Sequence, residues 1–159
     1  DDDRILMFGL CNELCGETGF GWSRRLMVIH NMVSNPDVPE PAKAAAAYMG
    51  GKYGYGEAEI AAAPRRIAQL LRSLGTRLEQ QQAKGSEFFI GNELSALDIY
   101  WSTFAVLVQP LPADLCPIDE NLRASFVNTD PVIAEALSPK LLEYRDRIYH
   151  DHLKLPMDL

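Results

Sequence analysis

Cysteine is scarce: Cys11, Cys15 and Cys116 are the three in 159 residues. They are too few and too unevenly spaced for a disulfide framework, so free thiols and an intracellular, cytoplasmic setting are expected. No run of about eighteen apolar residues occurs, which excludes a transmembrane helix. No face carries a Lys/Arg stripe with interleaved aromatics, and 22 acidic residues against 15 basic ones give a formal charge of −7. Such a chain repels a phosphate backbone, so nucleic acid is not an expected partner. Strand-like alternation is missing except across residues 88–90. The opening "DDDRILMFGL" has acid where a signal peptide has a basic segment, and it lacks an initiator Met. A processed chain, or a domain of a longer one, is therefore expected.

What is present is helical patterning over a chain that is 47% hydrophobic, enough for one domain spanning residues 1–159. Residues 4–33 read as one long helix, because Ile5, Phe8, Cys11 or Asn12, Cys15, Trp22, Leu26 and Ile29 recur at helical spacings. Gly9, Gly16, Gly19 and Gly21 inside it predict a bend or the close approach of another backbone. After "NPDVPE", the run "PAKAAAAYMG" predicts a short helix ending at Gly50 and Gly51. The next stretch, "GGKYGYGE", fails as a phosphate loop, since Ala46 and Tyr53 stand where Gly and Ser or Thr are needed. A second long helix spans 57–84, with Ile60, Ile67, Leu71, Leu74 and Leu78 on one stripe and Pro64 near its start. "QPLPADLCPI" is irregular. Asp119, Asp130 and Ser138 read as N-caps of helices near 119–127, 131–137 and 139–152, the last two opening on Pro131 and Pro139.

The segment "GNELSALDIYW" carries the most specific local signal. Ser95 and Asp98 form a capping box, in which the carboxylate reaches back to the Ser95 amide and the hydroxyl covers the amide of Asp98. Leu94 and Ile99 flank it as a hydrophobic staple. The helix so started, "SALDIYWSTFAVLV", is apolar on nearly all faces to about Val108 and is expected to be central and buried.

Two long helices, an aromatic strip and then "IGNELSALDIYW" resemble the C-terminal helical domain of the cytosolic glutathione transferases, in which a Ser/Thr-x-x-Asp box begins the central helix. The closing "YRDRIYHDHLKLPMDL" resembles the end of such chains. The resemblance implies an all-α bundle of two long helices, a central buried helix and shorter C-terminal ones. In that family the glutathione site and the activating side chain lie on a preceding thioredoxin-like domain. No strand–helix–strand pattern precedes the first helix here, so that domain is expected to be absent from these residues. The chain alone is expected to hold no catalytic group, no metal and no bound cofactor, with glutathione entering as co-substrate only in a full enzyme.

The resemblance further implies that the first helix lines an electrophile pocket, through Phe8, Cys11, Asn12 and Cys15. Small core-facing cysteines are the competing reading of "CNELC", with a metal pair or an in-helix disulfide as further ones. His150 and His152 are expected at terminal carbonyls, and Arg24 with Arg25 as a solvated or interface pair. Two functions follow. One is the substrate-pocket half of a glutathione transferase, joined to a thioredoxin-like domain and able to form a homodimer. The other is a non-catalytic docking subunit of a larger assembly, with Tyr53 and Tyr55 on its partner surface.

Overall fold

A computed structural model describes residues 2–157, so Asp1 and the final two residues of the closing segment lie outside the described residues. The described residues are all-helical, with eight α-helices and one 3-10 turn. They are α1 (Asp2–Cys15), α2 (Phe20–Ser34), α3 (Glu40–Lys52), α4 (Glu57–Gln82), α5 (Ala96–Phe104), α6 (Glu120–Phe126), α7 (Pro131–Ala136) and α8 (Pro139–His152). The 3-10 turn, Ala105–Leu107, extends α5. Residues 88–90 form no strand.

The expected helix over 4–33 is two helices. The chain leaves α1 at Cys15, turns through Gly16–Gly19 with Thr18 at φ 60°, and restarts at Phe20. The turn needs a residue without a side chain at position 19, where a Cβ would stand 2.6 Å from the Glu13 carbonyl oxygen. Arg66 of α4 ties it down, donating to the Thr18 carbonyl at 3.1 Å and pairing with Glu13. Gly21 serves the other expected role: a Cβ there would fall 2.3 Å from the Phe104 ring, which rests against α2 at the place where that side chain is absent. The break also rotates the pattern. Ile5 and Phe8 are 71% and 56% exposed, while Cys11 and Leu14 face the core.

Helix α4, about 39 Å long for its 26 residues, is the spine. Ile67, Leu71, Leu74 and Leu78 are buried along it, and α2 and α7 lie against it. It passes through Pro64, giving up the one backbone bond to the Ile60 carbonyl. Helix α5 packs between α1 and α8. Its Trp101 is wholly buried, meets the edge of Phe20 at 6.1 Å and donates its indole N–H to the Leu141 carbonyl at 3.0 Å. α5 is not apolar all round, however. Tyr100 is 38% exposed, and burial is confined to the side bearing Leu97, Asp98, Trp101 and Ser102.

The caps behave differently from one another. Asp119 Oδ1 accepts from the amides of Asn121 (2.9 Å) and Leu122 (3.2 Å), and Asp130 Oδ1 from those of Val132 (2.8 Å) and Ile133 (3.2 Å). Ser138 makes no such bond, and α8 begins on Pro139 alone. Helix α3 runs through Gly50 and Gly51 to Lys52, past its expected end, with turn geometry taking over at Tyr53. At the end of α8, His150 meets Asp151 and His152 packs against Phe88, in place of the expected carbonyl contacts.

The proline-interrupted stretch after α5 solves its backbone problem with arginines. Prolines supply no N–H, so carbonyls there need donors from elsewhere. Arg24 of α2 donates to Leu107 (2.6 Å), Arg145 of α8 to Gln109 (2.6 Å), and Arg123 of α6 to Leu111 (2.5 Å) and Cys116; Arg24 also caps the end of α6 at the Phe126 carbonyl (3.2 Å). Arg24 is therefore not a solvated residue: it is 3% exposed. Burial lowers its pKa to about 10, with the Asp130 charge acting the other way. Arg24→Met keeps most of the stem and removes the donors, leaving two half-buried carbonyls without them. Urea unfolding is expected to show a loss of about 2 kcal/mol with an unchanged denaturant slope. Undiminished stability would contradict this role.

Candidate functional site

Asp98 organises the centre of the molecule. Its carboxylate is 0% exposed and accepts four hydrogen bonds. Oδ2 takes the Ser95 amide at 2.7 Å and the Ser95 hydroxyl at 2.6 Å. Oδ1 takes the Phe89 amide at 2.9 Å and the Tyr144 hydroxyl. Both arms of the capping box are present. The sequence motif thus accounts for the Ser95 side, while Phe89 and Tyr144 come from other elements and were not foreseen. Of the staple, Leu94 is 37% exposed and Ile99 half-buried.

The strip that Asp98 holds, residues 86–91, is fastened from three sides. Arg77 of α4 donates to the Phe89 carbonyl at 2.7 Å, and Gln81 to Phe88 at 3.2 Å and Gly91 at 3.0 Å. Arg147 of α8 reaches the Glu87 carbonyl and stacks over Tyr144 at 5.1 Å. Phe89 meets Tyr144 edge-on at 4.8 Å. Burial, followed by donation to Asp98, pushes the Tyr144 hydroxyl well above the ordinary tyrosine range. A raised folded-state pKa stabilises the protein fully below the ordinary value of 10.0, and only strong alkali removes that contribution. Asp98 is thus saturated by structural donors, with no lone pair directed at an open cavity.

The four residues expected to line an electrophile pocket do not share one face. Phe8, Asn12 and Cys15 are exposed on α1, and Arg4 stacks over the Phe8 ring at 5.3 Å. Cys11 is turned into the core, where burial, then Cys15 and Asp98, raise its thiol pKa. The separation follows from the 3.6-residue turn: positions 8, 12 and 15 stay on one side, and position 11 lies beside Leu14. A cleft of about 540 Å³ between α1 and α4 is lined instead by residues such as Leu6, Leu10 and Arg77. All three cysteines are free thiols, and no group of metal-ligating side chains forms among the described residues.

No family model, curated protein or solved structure matches this chain. Among the described residues no helix is long and apolar enough to cross a membrane. The functional reading therefore rests on the chain's own geometry: the α1 stripe, the Asp98 centre and the clefts between helices. Tyr53 and Tyr55, expected at a partner surface, are half-buried. Tyr53 packs against Trp22 at 5.0 Å, and Tyr55 bonds His30 at 2.8 Å.

Substitutions at the Asp98 centre are expected to rank by how many donors they strand. Asp98→Ala leaves several and is expected to lose about 3 kcal/mol or more of stability. Tyr144→Phe and Ser95→Ala each remove one side-chain partner and are expected to lose about 1 kcal/mol. Chemical denaturation of the three variants checks the order, and an Asp98→Ala protein as stable as the parent would contradict it.

Proposed function

We propose that the chain is the helical, substrate-pocket half of a glutathione transferase-like enzyme, working beside a thioredoxin-like domain that binds glutathione. The observation that carries this reading is the exposed stripe Ile5, Phe8, Asn12 and Cys15 on α1. It is a mixed apolar and polar face left open on the helix that the resemblance assigns to the electrophile wall. The buried Asp98 box at the start of α5 supports the same reading, because the resemblance rests on that motif.

In this scheme Phe8 supplies apolar contact to a hydrophobic electrophile, Asn12 a hydrogen-bonding edge and Cys15 a small polarisable side chain. Cys11 drops out of the pocket and belongs to the core. Thiolate formation takes place on the thioredoxin-like domain, where a hydrogen-bond donor stabilises the glutathione sulfur. A homodimer and a cytoplasmic setting belong to the same proposal. The second reading, a non-catalytic docking subunit, is favoured by Tyr48 and Met49 of α3, which stand 81% and 46% exposed. Aromatic and methionine side chains of that kind are enriched at protein interfaces.

The intact mass of the native protein, followed by glutathione turnover, separates the two readings. A chain carrying a thioredoxin-like domain and conjugating glutathione to an apolar electrophile is expected. Within it, Phe8→Ala is expected to raise KM for the electrophile about tenfold, the loss of one buried aromatic contact, and to leave KM for glutathione unchanged. A native chain without such a domain, purifying with a stoichiometric protein partner, would overturn the transferase reading and favour docking.

A further inference from the structure

Away from both the Asp98 centre and the α1 stripe, α2, α3 and α6 enclose a cavity of about 380 Å³. Ile29 and Met32 of α2, Ala46 and Met49 of α3, Leu107 and Phe126 form most of its wall. The volume falls within the roughly 300–1,000 Å³ of small-molecule sites. A second cavity of about 550 Å³ adjoins it, sharing Val28 and Met32 in its wall and lined also by the polar side chains of Asn31, Asn35 and Asn121. Alanines on α3 keep the first cavity open, and two methionines give it a wall that can adapt to a flexible chain.

The one charged side chain that lines the two cavities is a cation. In a protein with 22 acidic residues, no carboxylate lines either cavity. Arg25 lines the first, and among the described residues its guanidinium forms no ion pair; its face rests on the Tyr53 ring at 4.6 Å. Arg24 lies behind the wall, 3% exposed, donating to the carbonyls of Leu107 and Phe126, both wall residues, with no carboxylate in contact. Asp130 offsets part of that charge without contacting it, and the remaining field reaches the cavity through a low-dielectric surround.

We propose that this cavity binds an apolar organic anion, a medium-chain carboxylate, with its chain along Met32, Met49 and Phe126 and its carboxylate at Arg25. The site is independent of the transferase reading, since none of the residues of the α1 stripe takes part.

Isothermal titration calorimetry of the protein with dodecanoate and with uncharged 1-dodecanol tests this directly, alongside two variants. Arg25→Gln removes the charge. Ala45→Phe places a ring in the cavity from an exposed position on α3, so that it blocks the space without overpacking the core. Dodecanoate is expected to bind the parent about tenfold more tightly than dodecanol, the worth of one charge-assisted hydrogen bond. Arg25→Gln is expected to erase that preference while dodecanol affinity stays, and Ala45→Phe to abolish both at an unchanged Tm. Equal affinity for acid and alcohol, dodecanoate binding that survives Arg25→Gln, or no binding below about 1 mM would overturn the proposal. Should Ala45→Phe lower the Tm, the Arg25→Gln comparison decides alone.

Discussion

A carboxylate taken wholly out of water must have its charge met by hydrogen bonds or a cation, and Asp98 is met by four donors and no contacting cation. The four donors belong to three separate places: the N-cap of α5, the strip before it, and α8. The buried charge therefore fixes the start of the central helix relative to the strip nine residues before it and to α8, with Tyr144 46 residues away. Apolar packing would hold α5 in the core over a range of rotations. The Asp98 acceptors permit one. Phe89 on Tyr144 and Arg77, Gln81 and Arg147 on the strip carbonyls add contacts consistent with that single arrangement.

The same physics, with the sign reversed, governs the other end of the molecule. There the irregular, proline-rich stretch between α5 and α6 presents carbonyls to the interior, and Arg24, Arg123 and Arg145 come from three helices to meet them. A carboxylate gathers amides and hydroxyls where a helix starts, and guanidinium groups gather carbonyls where regular structure is lost. This arrangement leaves positive charge inside a chain whose formal charge is −7. The cavity between α2, α3 and α6 lies beside the buried Arg24 and is lined by Arg25 and by no carboxylate.

Much of the fold was legible because it rests on local signals. The capping box at Ser95 and Asp98, the Asp119 and Asp130 caps and the apolar stripe of α4 each depend on residues a few positions apart. The all-helical class follows from them. What escaped depends on tertiary context. Helical periodicity runs through Gly16–Gly19 without a visible phase change, so the break into α1 and α2, and the outward turn of Ile5 and Phe8, could not be read from spacing. The separation of Cys11 from Phe8, Asn12 and Cys15 depends instead on which side of α1 the core takes up. Arg24 looked like half of a solvated pair because its partners, Leu107 and Phe126, lie 83 and 102 residues away. The proline content of the 109–118 stretch hinted only at the donors that Arg145 and Arg123 bring to Gln109, Leu111 and Cys116.

Native-state hydrogen exchange of individual amides tests the central claim most directly, because it reads local stability where the Asp98 acceptors act. The account predicts that the Ser95 and Phe89 amides, although they lie outside regular helix, exchange as slowly as the core of α4 and only through global unfolding. Exchange of these two amides at rates typical of an exposed turn, with α4 still protected, would contradict it.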